Sequence, residues 1–230
     1  VIHTSKGEAA TLDFREIASL SATKNMFIKK NGDQDVSSLT SKLASGVPGS
    51  VKGMWNIYLR YGSRKISWAD LLTPAILIAD TGFLITEKLS QELNSNSSNF
   101  TTQNPSGCGP FCENRFWKPG MRLVQTVLAR TLKGIRDFGP NYFYSGPIAL
   151  EFKKQGYFSL TDMASYRVHW REPLMGKYQG WEVITMPPPS SGGIALLQFL
   201  WGSERKTNTM HEIQGVKSYH DFTELARIIY

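Results

Sequence analysis

The octapeptide Met186-Pro187-Pro188-Pro189-Ser190-Ser191-Gly192-Gly193 constrains the fold more than any other stretch of the sequence. Consecutive prolines lack backbone donors and cannot occupy a helix interior or a central strand, so regular structure must stop before them and restart after them. Upstream, Tyr178 to Met186 alternates through Trp181, Val183 and Thr185 as a strand does; downstream, Ile194 to Trp201 reads as a helix. In that setting the prolines stiffen the strand exit, the serines cap, and the glycines permit close packing. A helix start also concentrates unsatisfied N–H groups able to receive an anion, but spacing alone favours the packing role.

The remaining elements follow from periodicity and stop signals. A short strand is expected at Thr11 to Phe14, a helix at Ala22 to Ile28, and a turn at Asn31-Gly32-Asp33. Val51, Met54, Trp55 and Tyr58 recur at helical spacing, with Gly62 as the stop. Ser67 and Asp70 form a capping-box pattern before Trp68 to Ala79, a helix that Pro74 is expected to divide or kink. A shorter helix is expected from Glu87 to Leu93, and Asn94 to Gly109 reads as an exposed loop that includes Thr101-Thr102. Leu123 to Phe138 gives about four turns of helix ended by Gly139-Pro140. Ile148, Ala149 and Phe152 mark the next helix, ending near Gly156. Beyond the polar start Ser159-Leu160-Thr161-Asp162, Tyr166 to Pro173 and Tyr178 to Met186 look like paired strands around Gly176 to Gly180. Phe222, Leu225, Ala226 and Ile229 form a last amphipathic segment that stops in mid-pattern, as in a truncated or trimmed product, and Val1 to Lys6 carries neither an initiator Met nor a signal core. The pattern indicates a mixed α/β or α+β architecture, treated as a single partial domain over 1–230.

Composition removes several function classes. The net charge of +7 admits a polyanionic partner, but the basic residues are dispersed beyond the doublets Lys29-Lys30 and Lys153-Lys154, and no basic stripe is interleaved with aromatics, so nucleic acid is not expected as a partner. The most apolar stretch, Leu71 to Ile85, is interrupted by Thr73, Pro74, Asp80 and Gly82, which rules out a membrane-spanning helix. The four histidines, His3, His169, His211 and His220, are scattered, so neither a metal nor a cofactor is expected. Cys108 and Cys112, in Cys-Gly-Pro-Phe-Cys, are either a local disulfide of an oxidising compartment or two idle thiols. The sequons Asn96-Ser97-Ser98 and Asn99-Phe100-Thr101 are short enough to arise by chance.

No G-x-S-x-G elbow, H-E-x-x-H, Walker loop or G-x-G-x-x-G is present. Asp13-Phe14-Arg15-Glu16 puts a bidentate guanidinium at the end of an apolar strand, where it suits a substrate carboxylate; the bland alternative is a surface ion pair with Asp13 or Glu16.

Taken in order, these pieces resemble a known family. Asp13-Phe14-Arg15-Glu16, Ser45-Gly46-Val47-Pro48-Gly49 with Gly53, Tyr61-Gly62, Pro74-Ala75 to Ala79 and Gly82-Phe83 are similar to the large subunit of the gamma-glutamyltransferases, or gamma-glutamyltranspeptidases. Gly139-Pro140, Phe143-Tyr144-Ser145-Gly146, Leu160-Thr161-Asp162, Tyr166, Pro173, Tyr178 and the Met186 to Gly193 run continue the likeness in the same order.

The resemblance implies part of an N-terminal-nucleophile hydrolase, a four-layer αββα sandwich built from one precursor that cuts itself into a large and a small subunit. It implies a partner small subunit whose first residue, a threonine, attacks the gamma-glutamyl amide of glutathione and related conjugates, with its own amine as base. The acyl-enzyme then passes to water or to an acceptor peptide. In that scheme this chain is an interior portion of the large subunit, contains no catalytic residue, and contributes Arg15 to bind the glutamyl α-carboxylate. Glu16 is placed beside it as an orienting group, and Ser190, Ser191, Gly192 and Gly193 shape the nearby core. A periplasmic or extracellular location is expected. An acylase relative acting on poly-gamma-glutamate or a cephalosporin side chain, and a non-catalytic binding or assembly subunit, are the alternatives.

Overall fold

The computed structural model describes residues 1–103, 109–112, 116–205 and 215–229. They form two compact units: Val1–Phe14 with Val168–Tyr230, and Arg15–Arg167. In chain order the first unit begins with β1 (Ile2–His3) and β2 (Ala9–Asp13). The second follows with α1 (Ser37–Thr40), α2 (Ser50–Tyr61), α3 (Trp68–Thr81), β3 (Phe83–Leu84), α4 (Glu87–Ser95), α5 (Ser97–Gln103), β4 (Arg122–Leu123), α6 (Thr126–Phe138), α7 (Pro140–Tyr144), α8 (Pro147–Lys154) and α9 (Leu160–Ser165). The first unit resumes with β5 (His169–Arg171), β6 (Leu174–Tyr178), β7 (Trp181–Thr185), α10 (Ser191–Arg205) and α11 (Val216–Ile229). The mixed helix-and-strand class expected from the sequence is the one observed. Among the described residues no helix is long and apolar enough to cross a membrane.

In the second unit α3 packs along α6, with Ile76 and Ala79 of one and Ala129 and Ile135 of the other buried. Lys133 reaches Asp80 at 2.8 Å, and the Trp68 indole donates to the Ile135 carbonyl at 3.1 Å, so the apolar contact is also held in register. Ser67 caps α3 as its spacing predicts, accepting from the Asp70 N–H at 3.1 Å. Pro74 does not divide α3. It lies on the exposed side, where the carbonyl it leaves without an N–H partner can bind water.

Three further expectations in this unit are corrected. Ala22 to Ile28 is a series of separate turns, closed by Ala22 N–H to Ser19, Met26 to Thr23 and Ile28 to Asn25. Its half-buried residues, Met26 and Phe27, are adjacent and cannot form a helical face. The loop read from Asn94 onwards contains α5, and the backbone of Thr101 and Thr102 is helical. That helix has a tertiary anchor: Phe100 stacks on Phe111 with centroids 5.5 Å apart, and both pack against a core of Ile85, Leu93, Trp117 and Leu123. Leu123 is in β4, paired with Phe83, so the following helix begins only at Thr126.

In the first unit β1, β2 and β5 form an antiparallel sheet, with Thr11 opposite Arg171 and Asp13 opposite His169. Strand pairing is the fifth correction. The segment from Tyr166 supplies β5 to this sheet, while β6 and β7 form their own hairpin from Leu174↔Thr185 to Tyr178↔Trp181. The hairpin is closed by the two residues Gln179 and Gly180, whose φ values of 48° and 83° are those of a primed turn that matches strand twist. The turn therefore fixes a register that places Gly176 inside β6, opposite Val183. Helix α10 packs on β6, and Phe199 meets Phe222 of α11 at 4.7 Å.

Candidate substrate-anchoring site

Arg15 starts an irregular segment, Arg15 to Leu20, that has almost no regular hydrogen bonding of its own. Its side chain is 61% exposed, and its Nε lies 3.8 Å from Glu16 Oε1. An ion pair this open contributes little to stability, and most of the Arg15 side chain faces solvent. Asp13, the other acidic partner weighed for Arg15, is nearly buried and holds Arg171, whose Nη2 and Nε approach its Oδ2 at 2.8 and 3.0 Å.

The backbone beneath Arg15 is fixed from several sides. The Tyr166 hydroxyl donates to the Arg15 carbonyl at 2.8 Å. The Val47 N–H donates to the Ile17 carbonyl at 2.7 Å, and Val47 is fully buried. A Cβ on Gly46 would lie 2.6 Å from Glu16 Cγ and 3.3 Å from the Ile17 carbonyl, so this close approach requires glycine. Further along, Asp162 accepts the Leu20 N–H at 2.6 Å and the Ser19 hydroxyl at 3.1 Å.

Tyr166 is itself held. It stacks on Tyr144 at 5.5 Å with the rings 13° from parallel, and both are almost completely buried. The Tyr144 hydroxyl donates to the Pro48 carbonyl at 2.6 Å and accepts from the Lys52 N–H at 3.3 Å. Burial pushes the pKa of that hydroxyl well up, against the Lys52 hydrogen bond and with some help from Tyr166, so it remains a neutral donor. Two polypeptide segments that flank Arg15, residues 46–48 and 162–166, are thus tied to it and to each other.

Asp162 also completes the capping box at Ser159, accepting from its backbone N–H at 2.8 Å and its hydroxyl at 2.6 Å. Burial alone would raise its pKa, but the hydrogen bonds from Ser159, Leu20 and Ser19 outweigh it and hold the carboxyl below its ordinary value. A lowered folded-state pKa adds stability that is present above the unfolded value near 4 and is lost as pH falls through the folded one. Asp162→Asn should therefore lower stability by about 2 kcal/mol at pH 7, with the gap to the parent protein narrowing below about pH 4. Thermal midpoints of both proteins at pH 7 and pH 3 check this, and a pH-independent gap would refute it.

The sequence-predicted residues fall in both units. Arg15 and Glu16 open the second. Ser190 to Gly193 lie in the first: the Ser190 N–H donates to the Pro187 carbonyl at 3.2 Å, and Ser191, Gly192 and Gly193 form the first turn of α10 rather than preceding it. A Cβ on Gly193 would collide with the Met186 carbonyl, which is the close packing expected of this glycine. Cys112 ends a short 3₁₀ turn, Gly109–Cys112, and is disulfide-bonded, whereas Cys108 lies outside the described residues. Among the described residues no cluster of His, Cys, Asp or Glu is placed to hold a metal. Tyr144, Tyr166 and Asp162 were visible only as motif positions; the capping-box spacing from Ser159 to Asp162 was the one local signal that either end of this array was structured.

The whole chain, residues 1–230, matches the family model described as Gamma-glutamyltranspeptidase. It is 36% identical over 207 residues to the glutathione hydrolase proenzyme of Escherichia coli (strain K12), covering 87% of this chain and 35% of that protein. It is 37% identical over 186 residues to the capsule biosynthesis protein CapD proenzyme of Bacillus anthracis, covering 80% of this chain and 34% of that protein. The chain thus spans about a third of the length of these curated relatives. Among solved structures, Helicobacter pylori gamma-glutamyltranspeptidase superposes with a TM-score of 0.92 at 36% identity, over 100% of this chain and 67% of that one. The fold is accordingly that of the N-terminal-nucleophile hydrolases, over the part of it that this chain spans. The chain belongs to the gamma-glutamyltranspeptidase family.

Proposed function

We propose that this chain is a large-subunit portion of a gamma-glutamyl hydrolase or transpeptidase, and that Arg15 anchors the α-carboxylate of the glutamyl donor. The observation that carries the reading is the exposed Arg15 guanidinium on a backbone held by Tyr166, Val47, Gly46 and Asp162. A guanidinium presents parallel N–H donors that match a carboxylate, and a pinned backbone limits the ordering cost on binding. Glu16 lies beside the guanidinium, where its carboxylate can orient the fork toward a ligand.

In this reading the donor's gamma-carbonyl is presented to a threonine at the start of the partner small subunit, cut from the same precursor. Attack by that hydroxyl forms the acyl-enzyme and releases the amine, such as the cysteinylglycine of glutathione. Water or an acceptor peptide then takes the acyl group. The proenzyme naming of the relatives supports a precursor that splits into two subunits. The disulfide at Cys112 supports an oxidising compartment, periplasmic or extracellular.

The test uses the complete precursor. Intact masses and N-terminal sequencing should reveal a second polypeptide beginning with threonine. Incubation with gamma-glutamyl-p-nitroanilide should then release nitroaniline, faster with added glycylglycine if transpeptidation dominates and at an unchanged rate if hydrolysis does. Absence of release from a cleaved, folded protein would overturn the reading in favour of an acylase or a binding subunit.

A further inference from the structure

We propose that Tyr166 is a positioning residue for donor recognition, acting through the backbone of Arg15. The inference rests on the proposed role of Arg15 as carboxylate anchor and adds the element that sets its placement.

Tyr166 lies 151 residues from Arg15 in sequence, yet its hydroxyl donates to the Arg15 carbonyl at 2.8 Å while its ring is 1% exposed. A buried phenol on a short hydrogen bond leaves its acceptor little freedom, because breaking the bond would strand the hydroxyl away from water. The ring is in turn fixed by its face-to-face contact with Tyr144, whose hydroxyl is anchored on Pro48. Pro48 follows Gly46 and Val47, the residues pressed against Glu16 and bonded to Ile17. The array therefore closes a ring of contacts: Arg15 to Tyr166, Tyr166 to Tyr144, Tyr144 to Pro48, and residues 46–47 back to residues 16–17. The side chain of Arg15 is exposed and reaches out on a long stem, so the position from which it reaches is set by its backbone. A carboxylate grip needs two N–H donors aligned at once, which makes it sensitive to small displacements of that origin.

An interaction made equally with the bound donor and the transition state changes KM and spares kcat. In the complete, self-cleaved protein, Tyr166→Phe should raise the KM for gamma-glutamyl-p-nitroanilide about fivefold and change kcat by less than about twofold. With 4-aminobutyryl-p-nitroanilide, which lacks the α-carboxylate, kcat/KM should be the same as in the parent protein. In an Arg15→Ala background, Tyr166→Phe should have no further effect on KM.

An unchanged KM in the single variant overturns the inference, as does the same fivefold increase in the Arg15→Ala background, which would place the effect elsewhere. If Arg15→Ala itself leaves kcat/KM unchanged, it is the reading of Arg15 that fails. Should Tyr166→Phe not mature, Tyr144→Phe releases the same array at Pro48, and it must raise KM in the same sense; an unchanged KM there also overturns the inference.

Discussion

Arg15→Lys in the complete precursor should raise the KM for gamma-glutamyl-p-nitroanilide on the order of 100-fold while leaving kcat within about threefold. Lysine retains the charge, so the prediction separates geometry from electrostatics. The guanidinium offers a planar fork that binds both carboxylate oxygens, whereas an ammonium on a shorter stem is a single point charge that cannot reproduce the two aligned bonds. The Arg15 side chain is 61% exposed and its pairing with Glu16 is loose at 3.8 Å, so the substitution should alter thermal stability very little. A donor without the α-carboxylate supplies the control: its kcat/KM should be indifferent to residue 15. An Arg15→Lys protein with unchanged kcat/KM for the gamma-glutamyl donor would remove Arg15 from the site.

That Arg15 could be singled out at all depended on its motif rather than on periodicity. Asp13-Phe14-Arg15-Glu16 is locally indistinguishable from any charged tetrapeptide, and Ser45 to Gly49 from any turn. What joins them is long-range: Val47 to Ile17, Gly46 against Glu16, and Tyr166 to Arg15 across 151 residues. Helices with an apolar stripe and clear end signals were legible, as with α2 ending before Gly62 and α6 before Gly139. Helix α5 was not, because Ser, Asn and Thr favour turns on local grounds and only the stacking of Phe100 on Phe111 tips the balance. The opposite error occurred at Ala22 to Ile28, where helix-compatible residues half-bury only the adjacent Met26 and Phe27, too little to hold a helical face. Strand partners were misassigned for a related reason. Alternation places side chains on faces without naming a neighbour, and β5 found its partner in β2, near the start of the chain.

The proline-serine-glycine run, legible as a breaker, yields the second large effect, and its two glycines should behave oppositely. Both belong to the first turn of α10, and a generic account of helix glycines would predict that alanine helps at each. At Gly192 an added Cβ would meet only the Ser190 hydroxyl, at 3.6 Å, an ordinary contact, so Gly192→Ala should be neutral or stabilising by up to about 1 kcal/mol. At Gly193 the Cβ would run into the Met186 carbonyl and lie 3.1 Å from Thr185 Oγ1. The obstacle is backbone, held by the end of a strand whose Thr185 pairs with Leu174, so it cannot rotate aside as a flexible side chain would. Gly193→Ala should cost about 3 kcal/mol or more, seen as lost soluble yield or a lower urea midpoint beside the Gly192→Ala protein. Equal midpoints for the two would mean that the approach of α10 to Met186 is not a packing constraint. The Ser-Gly turn would then have to be explained by the anion-binding role that its position at a helix start also permits.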